Sequence, residues 1–523
     1  MPARLRSPLA LACLLVAGLT VARVAVLFAT PLELYPDEAQ YWLWSRELAW
    51  GYYSKPPMVA WLIAASTGIG GQAEAWIRVS APLTHAAAAL ALYGAGARLY
   101  GGWTGFWAVV LYSLMPAVQL SSGLMTTDAP LLMFLSLALW SYAVLWRSEA
   151  DPTRRLAAAG VGLFLGLAFL SKYAAVYFLV GIVVHAAASR EVRRRWSWPG
   201  LALAGAAFAL VIAPNLAWNA AHGFSTVSHT AANANWAEAE RFNPGELADF
   251  VFAQLGVFGP LPLLVLLLGA ARLLLRRGGP DADLALLGFI LPPLLIVTAQ
   301  AFISRANANW AAAAYAPASV LVAAWLVRRR ARALLGATVA LQGALAAVFL
   351  LCVARPSVAD QLGLANSVKR VRGWAAITRA VEREIAAGGW SAVAVDDRFL
   401  FNALAYYGRE AFARADAPPL VMWVREATPQ NQAETERPLR PEQAQRLLVV
   451  SLIEVYRGEI AGDFRLWRPL RRIEVRLDAE RSRAVSLFAA SGYVRGPRDP
   501  RTGLPLRGAA VRGAAVSARP KPP

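Results

Sequence analysis

Residues 8–29 read PLALACLLVAGLTVARVAVLFA, an apolar run that contains one charged residue, Arg23. About 20 apolar residues in a helix cross the core of a bilayer. The run follows Arg4 and Arg6, as a cleavable signal would, but its length favours a retained membrane anchor. This stretch therefore predicts a membrane protein that begins with a spanning helix.

Similar apolar runs recur through the first two thirds of the chain. The short pair beside Ser171 and Lys172 forms either one broken span or two short ones. We expect about eleven spans, and up to thirteen, in a polytopic α-helical membrane protein. The predicted segments are 8–29, 82–100, 103–121, 128–147, 156–170, 174–188, 200–216, 250–271, 284–303, 309–326 and 333–353.

Composition supports the same class. The 523 residues are 57% hydrophobic and 16% charged, whereas soluble domains are about half apolar and a quarter charged. These values exclude an ordinary soluble protein and a disordered one. The net charge of +19 would suggest nucleic acid for a soluble domain, but basic residues also collect in cytoplasmic loops.

Charge divides the chain into regions. Residues 1–355 hold 25 of the 52 Lys and Arg residues, and the shorter remainder holds 27. We therefore predict a membrane domain over 1–355, with an outer loop at 30–81, and a polar domain over 356–494. Residues 495–523, rich in Gly, Pro, Arg and Ala, are typical of a disordered basic tail that contacts anionic lipid.

Lys and Arg also predict orientation, because cytoplasmic loops are enriched in them. A cytoplasmic N-terminus places 17 basic residues of the membrane domain on the cytoplasmic side and six on the other side. The loop 30–81, the loop 217–249 and the C-terminal domain then lie outside the cytoplasm. The six outer residues are Arg46, Lys55, Arg78, Lys172, Arg241 and Arg305.

The region after residue 355 predicts a small α/β domain. An amphipathic helix is expected over 366–387 and another helix over 399–407. The charged run Asp396, Asp397 and Arg398 is interpreted mainly as solvated charge at the end of a strand, with acceptor contact as the alternative. Strands are predicted at 392–395, 420–424, 447–453, 464–477 and 484–488.

The outer loop 30–81 contains an unusual acidic and aromatic motif. It reads YPDEAQYWLW at 35–44 and GYYSKPP at 51–57. The adjacent carboxylates of Asp37 and Glu38 are costly to desolvate beside a membrane unless they bind or react. Aromatic rings stack on sugars, but Trp and Tyr also favour the membrane interface for structural reasons.

Three further outer residues are candidates for a site. Asp128 opens a predicted span, either as a helix cap or as a second functional carboxylate. Lys55 and Lys172 are the only lysines among the 25 basic residues of 1–355. Their ammonium groups suit a phosphate; the alternative is that they extend to the interface as structural residues.

The sequence Asn-Ala-Asn-Trp occurs twice, at 233–236 and 307–310. Amides match sugar hydroxyls, although Asn is also common in turns. No motif has convincing metal-ligand spacing, and no phosphate-binding Gly loop or hydrolase Ser motif is present. A divalent metal is therefore not indicated, although it is not excluded.

These motifs resemble bacterial polyprenyl-phosphate-sugar glycosyltransferases of the GT-C class, which include lipid A aminoarabinose transferases and relatives of protein O-mannosyltransferases. The resemblance covers about residues 8–355 and is most specific across 35–57. The stretches 229–236 and 304–310 resemble galacturonosyl-type transferases that modify lipopolysaccharide. The resemblance implies a GT-C fold in the bacterial inner membrane, with a periplasmic C-terminal domain.

The resemblance also implies roles for individual residues. Asp37, beside Glu38, matches the general base or acceptor-positioning acid, and Asp128 matches a second acid of the site. Aminoarabinose transferases have Glu where this chain has Ser54, which leaves the sugar and any metal site open. Phosphate binding is expected from Lys55, Arg305 and Lys172, and sugar or acceptor binding from Tyr41, Tyr52, Tyr53, His229, Asn233, Asn235 and Asn307.

The expected activity is inverting transfer of a monosaccharide from a polyprenyl-phosphate donor to a lipid, glycan or protein, at the outer face of the inner membrane. A polytopic transporter or lipid flippase is the alternative. It would be expected to hold ionisable groups in the middle of its spans, and Arg23 and His185 are the residues that lie most clearly within them. A structural or assembly protein would leave the acidic loop without a purpose.

Overall fold

The computed structural model describes residues 7–232, 234, 242–275 and 279–506. Within them the chain divides into two compact units. The first comprises the residues up to Pro31 together with Trp44–Ala359, and the second comprises Leu32–Leu43 together with the residues from Asp360 onward. The acidic segment of the first outer loop therefore belongs to the second unit.

The part before residue 355 is helical. All eleven predicted apolar segments fall on helices, some of which are broken. Two 3-10 segments, Tyr173–Ala175 and Ala308–Ala314, precede α10 and α17. The helices are α1 Pro8–Ala29, α2 Pro36–Ser45, α3 Met58–Gly70, α4 Glu74–Arg78, α5 Ser80–Tyr100, α6 Gly102–Leu114, α7 Pro116–Gly123, α8 Asp128–Arg147, α9 Asp151–Ser171, α10 Val176–Ala188, α11 Arg190–Arg195, α12 Trp198–Ala221, α13 Ser225–Ala232, α14 Pro244–Phe258, α15 Pro260–Leu275, α16 Asp281–Ile303, α17 Tyr315–Arg328 and α18 Arg332–Ala354.

Seven helical segments in the described residues are long and apolar enough to cross a membrane, and nine spans result if each of two bent pairs counts as one. The α6–α7 pair bends by 60° before Pro116, and the α14–α15 pair by 112° at Gly259 and Pro260. Helix α10 has 13 residues, which is too short to cross alone. The count of eleven therefore stays a prediction.

Arg23 stabilises the bend between α6 and α7. Its Nη2 donates to the Ser113 carbonyl (2.6 Å) and to Gln119 Oε1 (3.2 Å). Pro116 interrupts the regular helical bonds at this point and leaves carbonyls to be satisfied. Similarly, His185 Nδ1 pairs with the Tyr142 hydroxyl (2.9 Å). Arg23 and His185 thus both have structural partners.

The second unit is built on a five-stranded mixed sheet. The elements after residue 355 are α19 Pro356–Gln361, which crosses the boundary between the units, α20 Ala365–Val368, α21 Trp374–Gly388, β1 Ala392–Val395, α22 Arg398–Tyr407, α23 Arg409–Phe412, β2 Leu420–Met422, α24 Gln432–Glu436, β3 Leu447–Ser451, α25 Arg457–Gly462, β4 Phe464–Arg476 and β5 Ser482–Tyr493. The strand order is β2-β1-β3-β5-β4, with β2, β1 and β3 parallel and the last two pairings antiparallel.

The predicted helix over 366–387 is divided in the structure, since Ala365–Val368 and Lys369–Val371 form short helical turns that precede α21. The regular helix α21 starts only at Trp374, because Gly373 has a φ of 85°, a left-handed conformation that interrupts helical geometry. The side chain of Glu33 accepts bonds from the Trp374 and Ala375 amides (2.5 and 3.3 Å). This carboxylate therefore replaces the missing cap of α21.

Candidate active site

A partly buried ion pair lies at the ends of three helical segments in the first unit. Lys172 Nζ donates to Asp128 Oδ1 (2.7 Å), and Asn309 Nδ2 donates to Asp128 Oδ2 (2.7 Å). The carboxylate and ammonium side chains are 12% and 20% exposed. The structure therefore joins two predicted residues, Asp128 and Lys172, and adds Asn309, which the sequence analysis did not select.

Local backbone geometry places these three side chains. Asp128 is the first residue of α8, and its carboxylate faces the positive end of the helix dipole. Lys172 has extended backbone between α9 and the following 3-10 turn. Asn309 lies in the 3-10 segment before α17. Because Asp128 bonds Lys172 and Asn309, it is more than the simple helix cap considered from the sequence.

A cavity of about 410 Å³ adjoins this ion pair. Lys55 and Lys172 line it together with apolar and aromatic side chains that include Tyr177, Val297 and Trp310. Two ammonium groups attract a dianion such as a phosphate, whereas the apolar wall suits a hydrocarbon chain. The cavity therefore has the chemistry to hold a phosphate ester attached to a lipid.

The motif around Lys55 is a braced loop. The Tyr52 hydroxyl accepts from the Ala49 amide (3.2 Å) and lies 3.0 Å from the Trp44 carbonyl, and the Tyr52 ring stacks on Trp44 at 4.7 Å. Tyr52 is only 2% exposed. Tyr52 therefore fixes the shape of the loop, and its sugar contact stays a prediction.

Tyr53 remains a candidate for ligand contact. Its half-buried ring meets the His229 ring edge-on at a centroid distance of 5.8 Å. Thr226, in the same helix as His229, donates to the Tyr52 carbonyl (2.7 Å). Helix α13 therefore supports the Lys55 loop and brings two of the predicted sugar-binding residues together.

The remaining predicted residues of the first unit are not gathered in the same way. The side chains of Arg305 and Asn307 are exposed, while the Arg305 carbonyl accepts from Gln300 Nε2 (3.2 Å). Asn233 and Asn235 lie outside the described residues. Of the Asn-Ala-Asn-Trp run at 307–310, the second amide, and not the first, contacts the acidic residue.

The second unit holds Asp37 in the first turn of α2. Arg398 Nη2 lies 3.8 Å from Asp37 Oδ1, and Arg398 Nη1 donates to Gln40 Oε1 (3.1 Å). Both charged side chains are more than one third exposed. Asp37 is thus an accessible carboxylate beside a guanidinium, and Arg398 is a partner that the sequence analysis treated mainly as solvated.

Two neighbours of Asp37 are buried. Glu38 is 1% exposed, and its Oε2 accepts from the Tyr35 amide at the start of α2 (2.8 Å), as the acid of a capping box does. Tyr41 is also buried. Glu38 thus supports the start of α2, and the catalytic role of Glu38 and the binding role of Tyr41 stay predictions.

Asp396 and Asp397 correct the expectation of solvated charges. The Asp396 carboxylate accepts from the Ser451 hydroxyl and from the Leu452 amide (2.7 and 2.8 Å). Asp397 caps α22 through the Phe399 and Leu400 amides. Burial raises the pKa of Asp396 to about 6 and also raises the pKa of Asp397. Both carboxylates hold loops to the sheet.

The part of the chain that the structure describes contains no group of three or more His, Cys, Asp or Glu side chains that could hold a metal ion. Ser54, at the position where aminoarabinose transferases have Glu, lines the Lys55 cavity. A hydroxyl is a neutral hydrogen-bonding group. The charged side chains that line this cavity are therefore Lys55 and Lys172.

Comparisons with known proteins agree with this chemistry. A profile of the family described as dolichyl-phosphate-mannose-protein mannosyltransferase matches residues 54–218. The structure matches that of ArnT from Cupriavidus metallidurans in the apo state with a TM-score of 0.63, at 17% identity over 93% of this chain and 98% of that one. The form bound to undecaprenyl phosphate gives a TM-score of 0.62 at 17% identity, over 93% and 99% of the two chains.

Sequence similarity is higher to a curated enzyme. The chain is 36% identical over 420 residues, covering 77% of this chain and 85% of the relative, to the lipid A galacturonosyltransferase RgtD of Rhizobium johnstonii. These matches confirm the GT-C resemblance and the prediction of a membrane glycosyltransferase. The chain belongs to the GT-C glycosyltransferases, in the family of the lipid A galacturonosyltransferases.

Proposed function

We propose that this enzyme transfers a uronic acid, of the galacturonosyl type, from a polyprenyl phosphate to a lipid A-like acceptor. The cavity lined by Lys55 and Lys172 carries the proposal, because it combines two ammonium groups with an apolar wall. The solved structure of ArnT with undecaprenyl phosphate supports a donor of this class. The name of the galacturonosyltransferase relative supports the sugar and the acceptor.

In this reaction Lys55 and Lys172 stabilise the charge that develops on the departing phosphate. Asp128 and Asn309 position the Lys172 ammonium. Asp37 accepts the proton of an acceptor hydroxyl as the acceptor attacks the anomeric carbon with inversion. If the acceptor group is itself a phosphate, Asp37 has little proton to remove and acts by positioning.

We place the reaction at the periplasmic face of the inner membrane. The uneven distribution of Lys and Arg supports this side, with 17 basic residues on the cytoplasmic side and six on the outer side, among them Lys55 and Lys172. A sugar linked to a lipid phosphate can also react at this face, where no nucleotide-activated sugar is present. Membership of an enzyme family disfavours the transporter alternative, and the partnered Arg23 and His185 give a pathway no support.

Mass spectrometry of lipids from a deletion strain tests the proposal. The strain should lose the mass of one hexuronic acid residue from its lipid A fraction, and the wild-type gene should restore that mass. Lys55→Met should fail to restore it, whereas Lys369→Met, at an exposed lysine of the second unit, should succeed. An unchanged lipid profile in the deletion strain would refute the proposed acceptor.

A second pair of variants tests the proton acceptor. Asp37→Asn should abolish transfer in purified, folded protein, since removal of a general base costs roughly 10²- to 10⁴-fold. Asp360→Asn is the matched control, because Asp360 is also a partly exposed carboxylate that pairs with an arginine, Arg372 (2.9 Å). Full activity of the Asp37 variant would exclude it from catalysis.

A further inference from the structure

A second cavity, of about 590 Å³, lies within the second unit beside the edge strand β2. Its apolar wall includes Trp42 and Phe412. Three guanidinium groups also line it, from Arg409, Arg437 and Arg440. Its size is within the range of cavities that hold small organic ligands. The cavity contains none of the residues assigned above to the reaction.

The backbone that carries two of these arginines is fixed to the sheet. The Met422 amide donates to the Arg437 carbonyl (2.8 Å), and the Leu439 amide donates to the Met422 carbonyl (2.7 Å). The Arg440 amide donates to Gln443 Oε1 (2.9 Å). Residues 437–440 therefore extend the edge of the sheet, and Arg437 and Arg440 project from a rigid segment.

Arg409 is held by contacts with Tyr406. Its Nη1 donates to the Tyr406 carbonyl (2.9 Å), and its guanidinium lies 4.9 Å from the Tyr406 ring centre. The Tyr406 ring meets Trp42 edge-on at 5.0 Å. These contacts order Arg409 and the aromatic wall before any ligand arrives, which reduces the entropy lost on binding.

The charge of the cavity is strongly positive. Its lining contains three guanidinium groups and one carboxylate, Glu436, and Gln432 Nε2 donates to that carboxylate. Within the described part of the chain, none of the three arginines forms an ion pair with an acid. Guanidinium groups bind phosphate and carboxylate oxygens in pairs, and an excess of two positive charges favours a dianion over a single carboxylate.

We propose that this arginine cavity binds a phosphorylated saccharide, the head group of the acceptor lipid. The arginines bind its phosphate, and the partly exposed ring of Phe412 offers an apolar face to a sugar ring. This inference rests on the proposed function, because it names the feature by which that acceptor is recognised. The donor phosphate has its own candidate site in the first unit, beside Lys55.

Binding of lipid A to the full-length protein in detergent, measured without donor, tests the proposal. Wild type should bind phosphorylated lipid A more tightly than enzymatically dephosphorylated lipid A, by about tenfold or more. The double variant Arg437→Gln/Arg440→Gln should lose this preference. The control Arg468→Gln/Arg472→Gln removes the same charge from exposed positions of β4, at the opposite edge of the sheet, and should retain it.

Three results would overturn the proposal: equal affinity of wild type for the two lipid forms, equal losses in the two double variants, or equally strong competition by phosphatidylglycerol, which has a phosphate but no saccharide. Transfer measured in the same preparations separates the two proposals. A protein that binds phosphorylated lipid A through Arg437 and Arg440 but transfers no sugar contradicts the proposed function and supports the cavity assignment.

Discussion

Asp128 and Asp283 both lie in the first turn of a membrane helix, and both pair with a cation, yet their surroundings differ. Asp283 is 3% exposed as a side chain. Its carboxylate accepts from the Tyr100 hydroxyl (3.0 Å), from Trp325 Nε1 (2.6 Å) and from Arg328 Nη2 (2.6 Å). These donors come from α5 and α17, so Asp283 joins three helices through one side chain.

Asp128 has fewer hydrogen-bond donors than Asp283, and its partner Lys172 lines a cavity. It accepts from Lys172 and Asn309, and Lys172 also lines the cavity that holds Lys55. A carboxylate saturated by donors holds a fold together, whereas a carboxylate that orients a cation at a cavity can serve a ligand. The contrast indicates that burial and pairing do not by themselves identify a functional acid; access to space for a substrate does.

The largest effect is expected for Asp128→Asn. The change removes the charge that positions the Lys172 ammonium, so kcat/KM should fall by roughly 10²- to 10⁴-fold, the range for a charged group acting in the transition state. The thermal midpoint in detergent should change little, because the side chain is at the edge of a cavity. A steady-state transfer assay and a thermal melt on the same preparation measure both quantities.

The opposite pattern is expected for Asp283→Asn. The change weakens the buried bonds from Trp325 and Arg328, at a cost of about 1.5–3 kcal/mol, so the thermal midpoint and the folded yield should fall, while turnover per folded molecule stays near wild type. Asp281→Asn is the control, because Asp281 is exposed two residues earlier in α16. Loss of turnover without loss of stability would erase the distinction between the two acids.

Sequence patterns predicted the helices of the first unit well, because membrane helices need long apolar runs whatever their tertiary packing. The strand at 392–395 was also predicted correctly. The helix over 366–387 was predicted as continuous, whereas the structure divides it before Trp374, where Gly373 adopts a left-handed conformation. The 484–488 prediction found only the centre of β5, which extends over Ser482–Tyr493 by pairing with β4.

The candidate site was only partly visible in the sequence. Lysine is rare in this arginine-rich chain, and an ammonium group binds a phosphate differently from a guanidinium. The rarity of lysine therefore pointed to Lys55 and Lys172. The pairing of Asp128 with Asn309 spans 181 residues and has no local signal. Tyr52 and Glu38 were selected from the motif at 35–57 and from the family resemblance, neither of which indicates that both side chains also bond the local backbone.

A third carboxylate extends the comparison to the second unit. Asp396 is buried like Asp283, but its partners are a hydroxyl and two amides instead of a cation. Burial raises its pKa to about 6, so between about pH 4 and pH 6 the unfolded chain loses this proton first. The stability of the second unit should therefore fall as the pH rises through this window, by up to about 3 kcal/mol.

Thermal melts of wild type and Asp396→Asn at pH 4.5 and pH 7 measure this linkage. The difference in midpoint between the two proteins should depend on pH, because the amide of the variant does not titrate. A pH-independent difference would mean that hydrogen bonds from Ser451, Leu452 and Ile453 offset the cost of burying the charge. Asp396 would then resemble Asp283 in being a buried carboxylate that stays charged at little cost in stability, although its donors are uncharged.

The smallest effect, and the finest test of the comparison, concerns Asn309. Asn309→Ala removes one hydrogen bond to Asp128 and leaves the Lys172 ion pair in place, so kcat/KM should fall by about 5- to 10-fold. Asn307→Ala truncates an exposed amide of the same run and should have almost no effect. A larger loss for Asn307→Ala would mean that direct contact with the substrate matters more at this segment than positioning of Asp128. Asp128 would then be a structural residue like Asp283.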